Sequence, residues 1–370
     1  MERKRKRLKE AKAEKAARKR KIRRRKRVAV LFAQIFIFLI LLAIGYVLSK
    51  YEKIKSNDFD GSNIIVNEGV SQEGYTTIVL FGADSREGQL GSGTHADTMM
   101  IASIDNHTKD VKIVSVYRDT PMKQENGEIT KANHAYFVGG PQAAINMLNR
   151  NLDLAIQDYV TVDFKVLADL IDLLGGIEVE ISEAERLAIN QYIWETALVA
   201  GREINYVSKT GVQTLDGIQA VTYARIRKDV GGDYARTERQ QLVVQKLVEK
   251  IKQTDLITIN ALIDEVFSQV STSFTFTEII KLSSGMLLYD ISASSGFPFE
   301  KTNGTIEGIG SIVTPIGFVE NVQELHEFLY SNEDYVPSKT VQDISDDIAY
   351  LTGCTRDDYD EMKAAGLVVE

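Results

Sequence analysis

The sequence predicts an α/β domain in which helices pack around a mixed central β-sheet, preceded by one transmembrane helix. Three observations carry this. Residues 28–49 (VAVLFAQIFIFLILLAIGYVLS) are a run of 22 residues without a charge. Three short apolar runs follow the polar stretch behind it, at 76–81, 98–104 and 112–117. Beyond them, strand-like and helix-like segments alternate, the pattern of helices covering a sheet. A chain of 370 residues is long enough for one large domain or two smaller ones.

The N-terminal end sets topology. Residues 1–27 hold 17 Lys/Arg against three Glu, so the net charge of -8 hides an acidic remainder of 27 basic and 49 acidic residues. At about 1.5 Å per residue, the apolar run reaches roughly 33 Å, enough to cross a hydrocarbon core. Signal peptides have a shorter apolar region and a small-residue cleavage site; here Lys50 and Lys53 follow directly, which favours an uncleaved anchor. The basic arm then places 1–27 in the cytoplasm and the rest outside, a single-pass plasma-membrane protein. The arm has no aromatic residue to stack on bases, so no nucleic-acid partner is expected. Residues 50–74 read as an extracellular linker, 75–332 as the folded domain, and 333–370 as an acidic, peripheral tail. The single cysteine, Cys354, excludes an internal disulfide and a multi-cysteine metal site.

The link between the second and third apolar runs, residues 105–110, is short and turn-rich, so these runs form an antiparallel hairpin. If the first run is also an antiparallel neighbour of the second, one sheet end gathers Asp84, Asp97, Arg118 and Asp119. The glycine-rich loop 85–96 lies at the same end. Further along, 140–149 reads as helix. Leu167, Leu170, Ile171 and Leu174 make an amphipathic helix stopped by Gly175 and Gly176. Residues 177–181 alternate as a strand with one wet face. Residues 183–200, 257–270, 276–290 and 319–330 read as helices, and 305–313 as a strand.

Residues 223–241 concentrate Arg225, Arg227, Arg236 and Arg239 in an otherwise acidic chain. Arg225 and Arg227 share a side only on extended backbone. Arg236, Arg239 and Gln240 share a side only on a helix. At 100° per residue, Arg236 and Gln240 head the stripe of Val244, Leu247 and Ile251 that should face the core. Arginines aimed inward from a first helical turn need a buried anion, of which phosphate is the usual one. The alternative is a structural network with the chain's carboxylates.

Two carboxylates and a set of arginines suit Mg²⁺ with a phosphate substrate, because Mg²⁺ keeps waters and is held by one or two carboxylates. Asp84 and Asp97 fit that role, and Arg86 and Arg118 add charge for the phosphates. No GxxxxGK[ST] loop, HExxH or GxSxG is present.

Eight blocks in order carry a resemblance: 78–86 (IVLFGADSR), 96–100 (ADTMM), 115–119 (SVYRD), 131–136 (KANHAY), 172–179 (DLLGGIEV), 215–220 (LDGIQA), 224–227 (ARIR) and 232–240 (GDYARTERQ). Together they resemble the LytR-CpsA-Psr family. The resemblance implies that family's fold, with an apolar tunnel for a polyprenyl tail. It implies a Mg²⁺-assisted (or Mn²⁺-assisted) ligase that transfers a teichoic acid or capsular polysaccharide from polyprenyl pyrophosphate to peptidoglycan through a phosphodiester. It assigns Asp84 and Asp97 to the metal, and Arg118, Lys131, Arg225, Arg227, Arg236 and Gln240 to the pyrophosphate. Arg86 and Arg239 match further motif arginines. Asp119 and Asp233 stand as candidate general bases beside Arg118. Two positions depart from the family: His95-Ala96 replaces Arg-Ser, and Tyr117 replaces a proline that would stiffen the loop aiming Arg118. A lipid-pyrophosphate hydrolase, a membrane-bound transcriptional attenuator and a non-catalytic lipid-binding module are the competing readings.

Overall fold

The structure is a computed structural model that describes residues 59–85, 90–228, 230–255, 258, 262, 269–274, 278 and 287–364. The basic arm, the apolar run 28–49, most of the 50–74 linker, Arg86 and most of the helices expected at 257–270 and 276–290 lie outside the described residues. No helix among the described residues is long and apolar enough to cross a membrane. All of them except Glu278 fall in one unit, residues 55–275 and 285–370.

The three early apolar runs become β1 (Tyr75–Ala83), β2 (Ala96–Asp105) and β3 (Asp110–Val116), paired antiparallel in sequence order. Further strands are β4 (Pro121–Lys123), β5 (Ile129–Lys131), β6 (Asp158–Asp163), β7 (Ile177–Ile181), β8 (Gly211–Leu215), β9 (Ser271–Thr272), β10 (Asp290–Phe297), β11 (Lys301–Ile306) and β12 (Gly310–Pro315). The central sheet is mixed, in the order β10-β3-β2-β1-β6-β9, with β10 parallel to β3 and β6 parallel to β1. The helices are α1 (Ala132–Leu152), α2 (Phe164–Leu173), α3 (Glu183–Ala200), α4 (Gly217–Arg225), α5 (Gly232–Gln253), α6 (Phe318–Tyr330), α7 (Lys339–Thr352) and α8 (Arg356–Ala364).

The two faces of the sheet are built differently. On one, Val79 and Phe81 of β1, Met99 and Ile101 of β2 and Val114 and Val116 of β3 join a buried core with α1, α6 and α7. On the other, Leu80 and Gly82 of β1 are only partly covered. That face meets α2, α4 and α5 across a cavity described below. Period-two alternation thus assigns neighbouring residues of one strand to a dry core and to a cavity wall.

Three sequence expectations are corrected. Residues 305–313 are not one strand: β11 and β12 form a hairpin, turned where Gly308 and Gly310 take φ of 83° and 88°. The second parallel-paired strand, β10, begins at Asp290, the last residue of the stretch expected to be helical, and runs through residues for which no element was expected. The tail is not wholly peripheral, because Val341, Ile344 and Ile348 of α7 are buried in the core. Acidic composition concealed this, since only one face of α7 is apolar. Helix α1 also starts earlier than expected, with non-helical backbone at Gly139 and Gly140.

A buried carboxylate ties these parts together. Asp153 accepts from Asn67 Nδ2 (2.6 Å), the Ser338 backbone (2.7 Å), Ser338 Oγ (2.7 Å) and the Tyr335 hydroxyl (2.5 Å). It joins the segment before β1, the end of α1 and the start of α7. Asp153→Ala strands these donors and should lower unfolding free energy by about 3 kcal/mol in urea denaturation. His326 lies nearby, buried, with its ring 3.6 Å from and stacked on that of Tyr335, and its Nε2 2.9 Å from the Leu152 carbonyl oxygen. Burial pushes its pKa below the ordinary value of about 6.5. The neutral ring is therefore stabilising above that value, and the stability it contributes is lost as pH falls below it. Part of the stability loss between pH 7 and pH 5 should disappear in His326→Gln.

Candidate functional site

The register of β1 on β2 places the first carboxylate. Gly82 pairs with Thr98 and Ala83 with Ala96, so Asp97 is the extra residue of a bulge. A bulge bends the strand and re-aims one side chain. Asp97 meets Arg118 Nη1 at 2.6 Å and Arg227 Nη2 at 3.8 Å. Asp119 meets Arg118 Nε at 3.4 Å and Lys131 Nζ at 2.8 Å. The Asp84 backbone N–H donates to the His95 carbonyl at 3.0 Å, closing the same sheet end. Asp84, Asp97, Arg118 and Asp119 therefore lie where the antiparallel reading puts them.

Helix α4 delivers Arg225. Asp216 and Gln219 form a capping box at its start, and Asp172 accepts from the Gly217 backbone at 2.7 Å. Gly217 lets α4 approach α2 closely, since a Cβ there would lie 2.2 Å from the Ala168 carbonyl oxygen. The blocks 172–179 and 215–220 thus fix how closely α4 approaches α2. The extended arm considered for 225–227 is instead the end of α4: Arg225 is its last residue, and Ile226 turns to extended backbone. The Arg225 guanidinium lies 4.3 Å over the Phe164 ring and donates to Thr196 Oγ1 at 3.2 Å.

Helix α5 supplies the rest. Asp233, in its first turn, binds Arg227 Nε at 3.2 Å and Arg236 Nη2 at 3.1 Å. Arg236 is 4% exposed, and its Nε has no hydrogen-bond acceptor. A buried guanidinium with an orphaned N–H is costly unless an anion completes it. Arg225, Arg227, Lys228, Arg236 and Gln240 line one polar cavity of about 250 Å³ together with Asp97.

Arg239 is placed elsewhere. It is 6% exposed, its Nε binds Glu185 at 3.0 Å, and its other nitrogens donate to the carbonyls of Ile226 and Val230. It clamps the 226–230 turn to α3 and does not line the cavity. Arg118, Asp119, Lys131 and Asp233 likewise border the network without lining the cavity.

A second cavity of about 200 Å³ abuts the first and is apolar, walled by Leu80, Met100, Val162, Leu170, Val244 and Leu247 among others. Phe164, Arg225 and Gln240 line both. The inward stripe of α5 therefore passes from charged to apolar at this junction.

Both departures from the motif pattern have structural answers. Tyr117 donates its backbone N–H to the Phe297 carbonyl at 3.0 Å, a bond proline cannot make. Its ring packs edge-on to Tyr234 at 5.1 Å, and its hydroxyl lies over Gly296, where a Cβ would come within 2.3 Å. Burial pushes that hydroxyl's pKa well up. Packing thus pins the loop that a proline would stiffen. His95 is exposed and stacks on Phe137 at 4.5 Å.

Sequence reasoning missed the α3 side of the polar cavity: Tyr192, Glu195 and Thr196. Their i, i+3, i+4 spacing was the available signal. Lys228 was also missed, although it continues the arginine run.

Comparisons with known proteins bear on the family and the fold. The LytR_cpsA_psr family model matches residues 42–324. A polyisoprenyl-teichoic acid–peptidoglycan teichoic acid transferase TagU from Halalkalibacterium halodurans is 31% identical over 221 residues, covering 58% of this chain and 66% of that one. The TagU of Enterococcus faecalis is 28% identical over 211 residues, covering 56% and 64%. The match thus spans somewhat less than two thirds of these curated relatives. Among solved structures, a protein described as a transcriptional regulator from Enterococcus faecalis is 25% identical with a TM-score of 0.58, covering 78% of this chain and 98% of that one. TagT bound to LI-WTA is 19% identical with a TM-score of 0.55, covering 75% and 94%, a likeness of fold. With a family match over most of its length and the same mixed α/β architecture, this chain belongs to the LytR-CpsA-Psr family.

Proposed function

We propose that this chain is a phosphotransferase that moves a glycopolymer of the teichoic acid type from a polyprenyl-pyrophosphate carrier onto peptidoglycan, forming a phosphodiester. One observation carries the reading: an arginine-lined polar cavity opens onto an apolar one through Phe164, Arg225 and Gln240. A lipid pyrophosphate has that polarity along its length, with a doubly anionic head and a hydrocarbon tail. The names of the relatives support the same reading. The apolar run 28–49 supports a domain held outside the membrane that carries the lipid.

In this reaction an acceptor sugar hydroxyl attacks the phosphorus bearing the glycan. A new P–O bond forms, the bond to the bridging oxygen breaks, and lipid monophosphate leaves with the electron pair. Arg225, Arg227 and Arg236 neutralise charge that grows on the phosphate oxygens, which is where phosphoryl transfer is accelerated. Asp84 and Asp97 are the residues that would hold Mg²⁺ or Mn²⁺. Two carboxylates at one sheet end fit an ion that fills its other positions with water and phosphate oxygens. Such an ion, when bound, would supply positive charge to offset that of the phosphates.

Purified protein, lipid-pyrophosphate glycan, peptidoglycan acceptor and Mg²⁺ should yield linked product, and omission of the acceptor should abolish turnover; release of lipid phosphate without acceptor would mark a hydrolase instead. Arg236→Ala should lower kcat roughly 100-fold with little change in melting temperature. Arg239→Ala should do the reverse, costing about 3 kcal/mol of stability by stranding Glu185 and two carbonyls. Asp84→Asn and Asp97→Asn should each raise the Mg²⁺ concentration needed for half-maximal turnover.

A further inference from the structure

The transfer chemistry needs an acceptor for the proton of the attacking hydroxyl, and the carboxylates around the polar cavity are not equivalent. Asp97 is held by Arg118 and Arg227, Asp119 by Arg118 and Lys131, and Asp233 by Arg227 and Arg236. Each of these three carboxylates is already engaged by two cationic side chains, which occupy the oxygens an incoming hydroxyl would have to reach. Asp84 does not line the cavity. Glu195 does. Its side chain has no ion pair or hydrogen bond among the described residues, and the residue is exposed.

Helix α3 brings Glu195 there for a local reason. Its start is fixed by the Ser182–Glu185 capping box, and Glu185 in turn binds Arg239 of α5 at 3.0 Å. One turn from Glu195, Tyr192 also lines the cavity, and Thr196 accepts from Arg225 at 3.2 Å. The wall facing the arginines is thus made by α3, which lies outside the motif blocks that carry the phosphate-binding residues. The groups sharing the cavity with Glu195 are Arg225, Arg227, Lys228 and Arg236, together with Asp97 and the Tyr192 phenol.

We propose that Glu195 is the general base of the transfer. This rests on the phosphotransferase reading and names the residue that activates its acceptor. The Glu195 carboxylate takes the proton as the acceptor oxygen bonds to phosphorus. The bridging oxygen departs with its electron pair on lipid monophosphate, and the proton passes from Glu195 to solvent once product leaves. Tyr192, one helical turn away, lines the same cavity beside Glu195.

The test uses the full chain in detergent, a synthetic polyprenyl-pyrophosphate glycan and peptidoglycan fragments as acceptor. Glu195→Gln should lower kcat between 100-fold and 10,000-fold, about the range of general-base catalysis, with the KM for the lipid substrate unchanged. The acid limb of the kcat–pH profile should vanish in Glu195→Gln and persist in Glu195→Asp. A kcat within twofold of wild type, or a loss confined to acceptor KM with the acid limb intact, would overturn the assignment. Absence of transfer by the wild-type chain itself would overturn the phosphotransferase reading along with it. Transfer by the wild type with a fully active Glu195→Gln would overturn this inference alone.

Discussion

The buried guanidinium of Arg236 is the constraint around which the rest is arranged. It has one carboxylate partner, Asp233 at 3.1 Å, and an Nε with no acceptor. Burying such a charge half-satisfied is unfavourable in the free protein and favourable only with an anion in place. Around it, the polar cavity is lined by four cations, Arg225, Arg227, Lys228 and Arg236, against two carboxylates, Asp97 and Glu195. That excess suits a pyrophosphate. A structural ion-pair network would instead be expected to balance, as it does for Arg239 with Glu185.

The sheet serves this constraint by dividing its two faces. One face is closed by α1, α6 and α7 into a dry core that bears the stability of the domain. The other is left incompletely covered, so α2, α4 and α5 stand over a cavity. Close packing of both faces would remove the space that a hydrocarbon tail needs. The glycine at 217 and the caps at Asp163 and Asp216 hold these helices at the angle that keeps the space open.

Much of this was legible in the sequence, for reasons that differ by element. The β1-β2-β3 meander follows from three apolar runs and short links, and it alone brings Asp84, Asp97, Arg118 and Asp119 to one end. The inward face of α5 follows from the angular positions of Arg236, Gln240, Val244 and Leu247. Other features depended on tertiary contacts that no local pattern encodes. The parallel strand β10 pairs with β3 across more than half the domain's sequence. The buried stripe of α7 is diluted by acidic residues on its wet faces. Arg239 lies in the same motif and on the same side of the helix as Arg236, yet it pairs with Glu185 of α3, a tertiary contact that the local spacing does not encode. Glu195 has no motif at all, and its importance emerges only from the partners that the other carboxylates have.

The central claim is that head and tail of one lipid occupy the two joined cavities. A crystal structure of the protein with a polyprenyl-pyrophosphate glycan tests it most directly. The account predicts phosphate oxygens within hydrogen-bond distance of Arg225, Arg227 and the Arg236 Nε, with the tail running past Phe164 between Val244 and Leu247. A pyrophosphate bound away from Arg236, or a tail lying on the surface with the apolar cavity unchanged, would contradict it.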